Sequence, residues 1–295
     1  MRTSLFWPGL PGALARLRTP PAGVLLLALF VLQSAHAADK PLVLGVFPNM
    51  TAKQIVETYR PLADSLEKHL QRRVIIYSAR DFKTFAERTH RGEYDIVLTA
   101  PHLAFLARQE AGYRPLLKYA QPVRGLLLVR HDAPLHQLGD LRGRTLATAD
   151  PIAVVVLAIH AELASHGLRR EYDYRTLDFS THLNAGMQVI NGRADAAVLG
   201  LHPYNLMPPE LRRQLRVLAE TPPLSSLMYL THPRLRDAEA QAIHQGLLRF
   251  AATPKGQAFI QRGGYGALVE TTGRELESFR PYALQAQIML RAAGR

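Results

Sequence analysis

Hydroxyls and three histidines fall where apolar runs give way to turns. Asn49 and Thr51 follow the run Leu42 to Phe47, and Thr99 and His102 follow Asp95 to Leu98. Ser180, Thr181 and His182 follow Tyr174 to Phe179, and His202 follows Ala196 to Leu199. These side chains donate hydrogen bonds and carry no negative charge, which is what a small oxyanion requires. Thr51, Ser180 and Thr181 are also helix-capping types, and a helix N-terminus adds unsatisfied N–H groups and a positive dipole end. Capping a helix and binding a ligand are compatible roles.

Other chemistries fit less well. His102, His182 and His202 could offer three imidazoles to zinc, yet no close-spaced His pair or His–carboxylate motif accompanies them. The chain has no G-x-S-x-G elbow, no H-E-x-x-H and no phosphate-cradling Gly loop. With no cysteine, a thiolate nucleophile, a thiolate metal site and a disulfide framework are excluded. The expectation is a binding protein, not an enzyme, with no metal and no cofactor. Arg124 could grip an anion with its paired donors, but it reads more simply as a solvated residue between two halves of the chain.

The elements that must hold these residues alternate. Strand-type runs at Leu42 to Phe47, Val74 to Tyr77, Asp95 to Leu98 and Leu116 to Tyr119 are separated by helical patterns from Thr51 to Leu70, Phe82 to Arg91 and Pro101 onward. A second round has strands at Gly125 to Arg130, Arg144 to Ala149, Tyr174 to Phe179, Ala196 to Leu199 and Leu215 to Ala219. Its helices run from Ile152 to His166 and from Ser180 or Thr181 to Asn191, and Pro203 to Pro209 reads as irregular. Ser226 to Leu230 is one more strand, before helices from Asp237 to Ala252, from Pro254 to Arg262 and from about Glu275 to Arg291. Alternation of this kind predicts an α/β fold with parallel βαβ units, and open α/β sheets bind ligands at the carboxyl ends of their strands. The two rounds rhyme: Arg91-Gly92-Glu93-Tyr94-Asp95-Ile96-Val97 parallels Asn191-Gly192-Arg193-Ala194-Asp195-Ala196-Ala197. This predicts two related lobes, 38–124 with 226–295 and 125–225. Two chain crossings, near Gln121 to Gly125 and Thr221 to Leu227, form a two-stranded hinge.

The N-terminus carries its own signal. Arg2, Arg16 and Arg18 precede the apolar run Val24 to Leu32, and Ala35-His36-Ala37 follows. That order predicts a cleaved secretory signal peptide over residues 1–37, and the apolar run is too short to span a bilayer. Without a cysteine to carry lipid, the mature chain is expected to be a soluble monomer, free in a periplasm and not inserted in the membrane. Loss of the three leader arginines lowers the formal charge from +12 to +9. A basic excess favours an anionic partner. Export argues against nucleic acid.

Four segments taken in order resemble one family. They are Leu44-Gly45-Val46-Phe47-Pro48, Gly92-Glu93-Tyr94-Asp95-Ile96-Val97, Asp140-Leu141-Arg142-Gly143-Arg144-Thr145-Leu146-Ala147 and Asn191-Gly192-Arg193-Ala194-Asp195-Ala196-Ala197. From Leu42 to about Tyr282 the chain resembles the phosphate/phosphite/phosphonate-binding group of periplasmic substrate-binding proteins of ABC importers. The resemblance implies a type II two-lobe binding-protein fold that closes over a small anion and delivers it to a permease in the inner membrane. A related role is a sensing protein that presents its closed state to a membrane sensor kinase. In that family a histidine thirteen residues before the last cleft-strand aspartate contacts ligand, and His182 stands so before Asp195. The family's Ser/Thr-rich turn is replaced here by Asp150-Pro151-Ile152-Ala153-Val154-Val155, and Leu183 stands where the family has a carboxylate. An apolar turn suits a ligand with a less polar end, or a different oxyanion.

Overall fold

The computed structural model describes residues 40–179 and 181–292. The signal-peptide segment 1–37 and Ser180 lie outside the described residues. In chain order the elements begin with β1 (Leu42–Val46), α1 (Ala52–Leu70), β2 (Val74–Tyr77), α2 (Phe82–His90), β3 (Ile96–Thr99), α3 (Pro101–Ala111) and β4 (Arg114–Tyr119). There follow β5 (Gly125–Arg130), a 3-10 turn (Leu138–Leu141), β6 (Thr145–Thr148), α4 (Val154–Ser165), β7 (Arg175–Asp178), α5 (His182–Ile190), β8 (Ala196–Gly200), α6 (Leu201–Asn205), α7 (Pro209–Arg212) and β9 (Leu215–Glu220). The chain ends with β10 (Met228–Thr231), α8 (Asp237–Ala252), α9 (Pro254–Gly263), β11 (Leu268–Glu270), α10 (Gly273–Glu277) and α11 (Arg280–Ala292). Among these residues no helix is long and apolar enough to cross a membrane.

The strands form two sheets. One has the order β11-β4-β10-β3-β1-β2 and the other β7-β6-β8-β5-β9. In each, three neighbouring strands run parallel, β2-β1-β3 and β7-β6-β8. The strand reached just after a crossing, β5 or β10, then inserts antiparallel between two others. The parallel βαβ units expected from the alternation are present, within sheets that are mixed overall. The crossing segments touch through one antiparallel bridge, Val123 with Leu224, whose two N–H···O bonds are 3.0 and 2.9 Å.

The long α1 forms because its apolar residues recur at helical spacing and bury Ile55, Tyr59, Leu62, Ala63 and Leu66 against the first sheet. Its start is fixed by a capping box: Gln54 N–H donates to Thr51 Oγ1 at 3.3 Å, and Thr51 N–H donates to Gln54 Oε1 at 3.1 Å. Two features depart from the sequence reading. The segment Pro203 to Pro209 contains parts of α6 and α7, and the last helical stretch is broken at Ser278–Phe279. The break and α11 together straddle the molecule. Phe279, in the break, packs in the core of the second sheet, while Ala283 and Ala286 of α11 pack in the core of the first.

The repeated Gly-x-x-Asp has a structural cause. Gly92 and Gly192 both have φ near +68°, the left-handed region that ends a helix cheaply at glycine. Three residues on, the Asp95 N–H donates to the Val43 carbonyl oxygen at 2.9 Å, and its carboxylate accepts the Val43 N–H at 2.7 Å and Arg234 Nε–H at 2.7 Å. Asp195 repeats this on the second sheet, accepting the Thr145 N–H at 2.9 Å. Each aspartate thus pins the first parallel strand of its sheet. Asp95 is buried and Asp195 is half-exposed. Asp95→Ala is therefore expected to cost about 2–4 kcal/mol and Asp195→Ala about 1 kcal/mol. Denaturant midpoints of the two variants check this, and equal losses would contradict it.

Candidate functional site

The carboxyl ends of β1, β3, β6, β7 and β8 face a cleft cavity of about 1250 Å³. Its walls come from both sheets' loops and from the two crossing segments. Of the residues singled out from sequence, Asn49, Thr51, Thr181, His182 and His202 line it. Thr51 and Thr181 stand at the N-caps of α1 and α5, and Thr181 Oγ1 accepts the Asn184 N–H at 3.1 Å. Both threonines are exposed residues.

His182 is the first residue of α5. The side chain as a whole is half-buried, but its Nδ1 is enclosed and has no hydrogen-bond partner. Burial pulls its pKa down to about 4, with a backbone hydrogen bond at Val198 opposing. The ring is therefore neutral at neutral pH. His202, in α6, reaches toward the loop after α9, its ring 6.4 Å from that of Tyr265. Burial lowers its pKa as well.

Thr99 and His102 are placed elsewhere. Thr99 is 1% exposed and lines a separate pocket of about 390 Å³ beneath α2, α3 and α11. His102 is 0% exposed, and its Nε2 lies 2.8 Å from the carbonyl oxygen of Ile152. Thr99 ends β3, whose residues are all buried, and α3 begins at once and is buried along its first two turns from Pro101 to Ala107, His102 included. The structure does not bring these two residues to the cleft, and Ser180 is not described.

Arg124 lines the cavity, but its guanidinium donates to Glu220 at 2.7 Å. Asp150 also stands on the wall, though it was not among the candidate ligand residues. Asp150 accepts the Ile152 N–H at 3.0 Å, and burial raises its pKa, with Asp81 and Asp178 adding to the rise. The rule for strand carboxyl ends placed the loop Thr148-Ala149-Asp150 at the cleft without marking its carboxylate as a contact. The wall also takes Ser225, Ser226 and Tyr265 from segments that return to the first sheet. No local pattern marks these, since they reach the cleft only through the second crossing.

Helices α1, α4 and α5 start at the cavity, and α2 and α3 also begin at wall residues, Phe82 and Pro101. Their N-termini favour negative charge. The start of α4 is apolar: Ala153 at its N-cap makes no side-chain cap, and Val154 and Val155 form the wall. The arrangement can hold an anion by backbone N–H groups, hydroxyls and a neutral imidazole, beside an apolar surface. Among the described residues no group of three or more His, Cys, Asp or Glu is placed to hold a metal ion.

Comparison with known proteins adds to this geometry. A family model described as "ABC transporter, phosphonate, periplasmic substrate-binding protein" matches residues 44–276. Among solved structures, the chain is similar to a binding-protein component of an ABC phosphonate transporter from Pseudomonas aeruginosa, with TM-score 0.74 and 18% identity over 87% of this chain and 90% of that one. It is similar to PhnD1 from Prochlorococcus marinus, solved with methylphosphonate, with TM-score 0.76 and 12% identity over 84% and 98% of the two chains. It is also similar to XAC2383 from Xanthomonas citri, solved with ATP, with TM-score 0.72 and 23% identity over 83% and 98%. At these identities the likeness shows the fold: two lobes of the type II binding-protein kind.

Proposed function

The chain belongs to the family of periplasmic phosphonate-binding substrate-binding proteins of ABC transporters, and on that premise we propose that it captures a small oxyanion between its lobes and delivers it to a permease. The family is one of binding proteins and not of enzymes. The observation that carries the ligand class is the convergence of the α1, α4 and α5 N-termini on one cavity with Thr51, Thr181 and His182 beside them. We assign 38–124 with 226–295 to one lobe and 125–225 to the other. Rotation about the Val123–Leu224 bridge closes them. A ligand that prefers the closed form shifts the population toward it. The leader over residues 1–37 is the proposed route of export, and the mature protein is the proposed monomeric carrier.

The valines at α4 leave an apolar patch where the family has hydroxyls, so the ligand carries an anionic head and a less polar substituent. The test is thermal melting of the purified protein with methylphosphonate, phosphite, phosphate, chloride and ATP. A ligand present at a hundred times its Kd adds about 2.7 kcal/mol to stability, a rise of several degrees for a chain of this size. Methylphosphonate or phosphite is expected to give such a rise. No shift with any of the five would overturn the oxyanion reading.

A further inference from the structure

We propose that His102 is a positioning residue: it ties the start of α4, an element of the second lobe, to the first lobe, so that this wall of the cleft stays in place while α5 and α6 move. The inference rests on the two-lobe closure proposed above.

The tie begins with a buried imidazole. His102 is the second residue of α3, is 0% exposed, and has its Nε2 2.8 Å from the Ile152 carbonyl oxygen. A carbonyl only accepts, so Nε2 carries the proton and donates. Ile152 lies on the opposite side of the crossing from His102, in the loop between β6 and α4. Its side chain is 4% exposed and is packed in the core of the first lobe, as is that of Leu157. The intervening Val154, Val155 and Val156 belong to the core of the second lobe. The loop is fixed from its own side as well, since the Ile152 N–H donates to Asp150 Oδ1 at 3.0 Å and the Ala153 N–H donates to the Asp150 carbonyl at 2.9 Å.

Ile152 is therefore held at its N–H by the second lobe, and at its carbonyl and side chain by the first. Ala153, Val154 and Val155 follow directly and form the cavity wall. A buried hydrogen bond and a buried isoleucine do not separate cheaply, because breaking them leaves a polar group unpaired and apolar surface exposed. The Val123–Leu224 bridge is a second tether, and Phe279, in the turn just before α11, packs into the second lobe's core while Ala283 and Ala286 of α11 pack into the first. The lobes thus turn about a line that passes close to the N-terminus of α4. This helix end faces the ligand before closure, and Thr181, His182 and His202 complete the site by moving onto it.

The chain has no cysteine, so a pair of engineered ones reads lobe separation without interference. Val56 on α1 and Tyr172 in the second lobe are exposed and outside the cavity. Spin labels at Val56→Cys and Tyr172→Cys report the distance distribution with no ligand added. His102→Leu keeps apolar bulk but loses the donor, and it is expected to widen that distribution about twofold. His102→Gln keeps an N–H donor and is expected to retain the parental width. A parental width in His102→Leu, or equal widening in His102→Gln, would overturn the proposal. If His102→Leu does not fold, Ile152→Ala decides: widening supports the tie, and parental width refutes it. Methylphosphonate failing to bind would count against the oxyanion reading and leave these widths as they are.

Discussion

Thr181→Asp is expected to weaken methylphosphonate binding by about 30-fold or more, while Thr181→Asn stays within about threefold of the parent. Position 181 is suited to this comparison because Asp and Asn are both good N-caps. Either replaces the Thr181 Oγ1 that accepts the Asn184 N–H, so α5 keeps its start. Only the charge differs. Thr181 lines the cavity beside His182, and an aspartate there also neutralises the positive end of α5 that the anion would use. Two like charges about 4 Å apart at an effective dielectric near 20 repel by about 4 kcal/mol, and partial solvation reduces this to the factor given. Calorimetric titration of the two variants, with matched melting temperatures as the control for folding, provides the measurement. Equal affinity in both would mean that the ligand does not sit against α5. A gain in affinity for Thr181→Asp would mean that the ligand presents a cation there.

The second large effect is on stability in acid. Burial is the first cause that holds His102, His160 and His182 down to about 4, against the ordinary value of 6.5. At His160 the nearby Arg170 adds to the depression, and Glu171 opposes it. An unfolded imidazole protonates near 6.5, and these three folded ones only near 4. Between those limits the unfolded chain binds more protons, so stability falls as pH falls through the window. Above about 6.5 both states are neutral at these sites and their contribution is flat. Each group can supply up to about 3 kcal/mol across the window, a large share of a typical folding free energy. Asp150 acts in the opposite direction, because burial raises its pKa and its protonation in the folded state favours folding as pH falls. The hydrogen-bonded carboxylates of Asp81 and Glu275 are held low in the folded state despite partial burial, and their loss comes at lower pH. Denaturant midpoints measured from pH 7.5 to pH 4 should drop steeply below about 6.5. His160→Phe should remove somewhat less than a third of that slope, since His202 and His232 are also lowered by burial and add in the same direction. A midpoint independent of pH down to 4.5 would contradict the buried, neutral state of these rings.

Much of the fold was legible in the sequence because it is set locally. Apolar runs bounded by turn residues became β1, β2, β3, β6 and β8, and Thr51 and Thr181 became the caps their types suggest. The rule that ligands gather at strand carboxyl ends brought Asn49, Thr51, Thr181, His182 and His202 to one cavity. It did not do so for Thr99 and His102. A residue's position after a strand fixes the end of the sheet it occupies. Which way its side chain points depends on what packs across it. For His102 that partner is Ile152, fifty residues away and across the crossing.

The sequence by itself determined the alternation of strands and helices, the repeated Gly-x-x-Asp that pins each sheet, and the resemblance to a family of binding proteins. Spacing, capping and composition act over a few residues, so a linear reading reaches them. Only the tertiary structure decided the antiparallel insertion of β5 and β10, the place of Asp150 on the cleft wall, and the removal of His102 from the cleft to a buried hydrogen bond with Ile152. Each depends on segments far apart in the chain. Burial favours orientations in which backbone N–H and carbonyl groups find partners, and those partners lie far away in sequence.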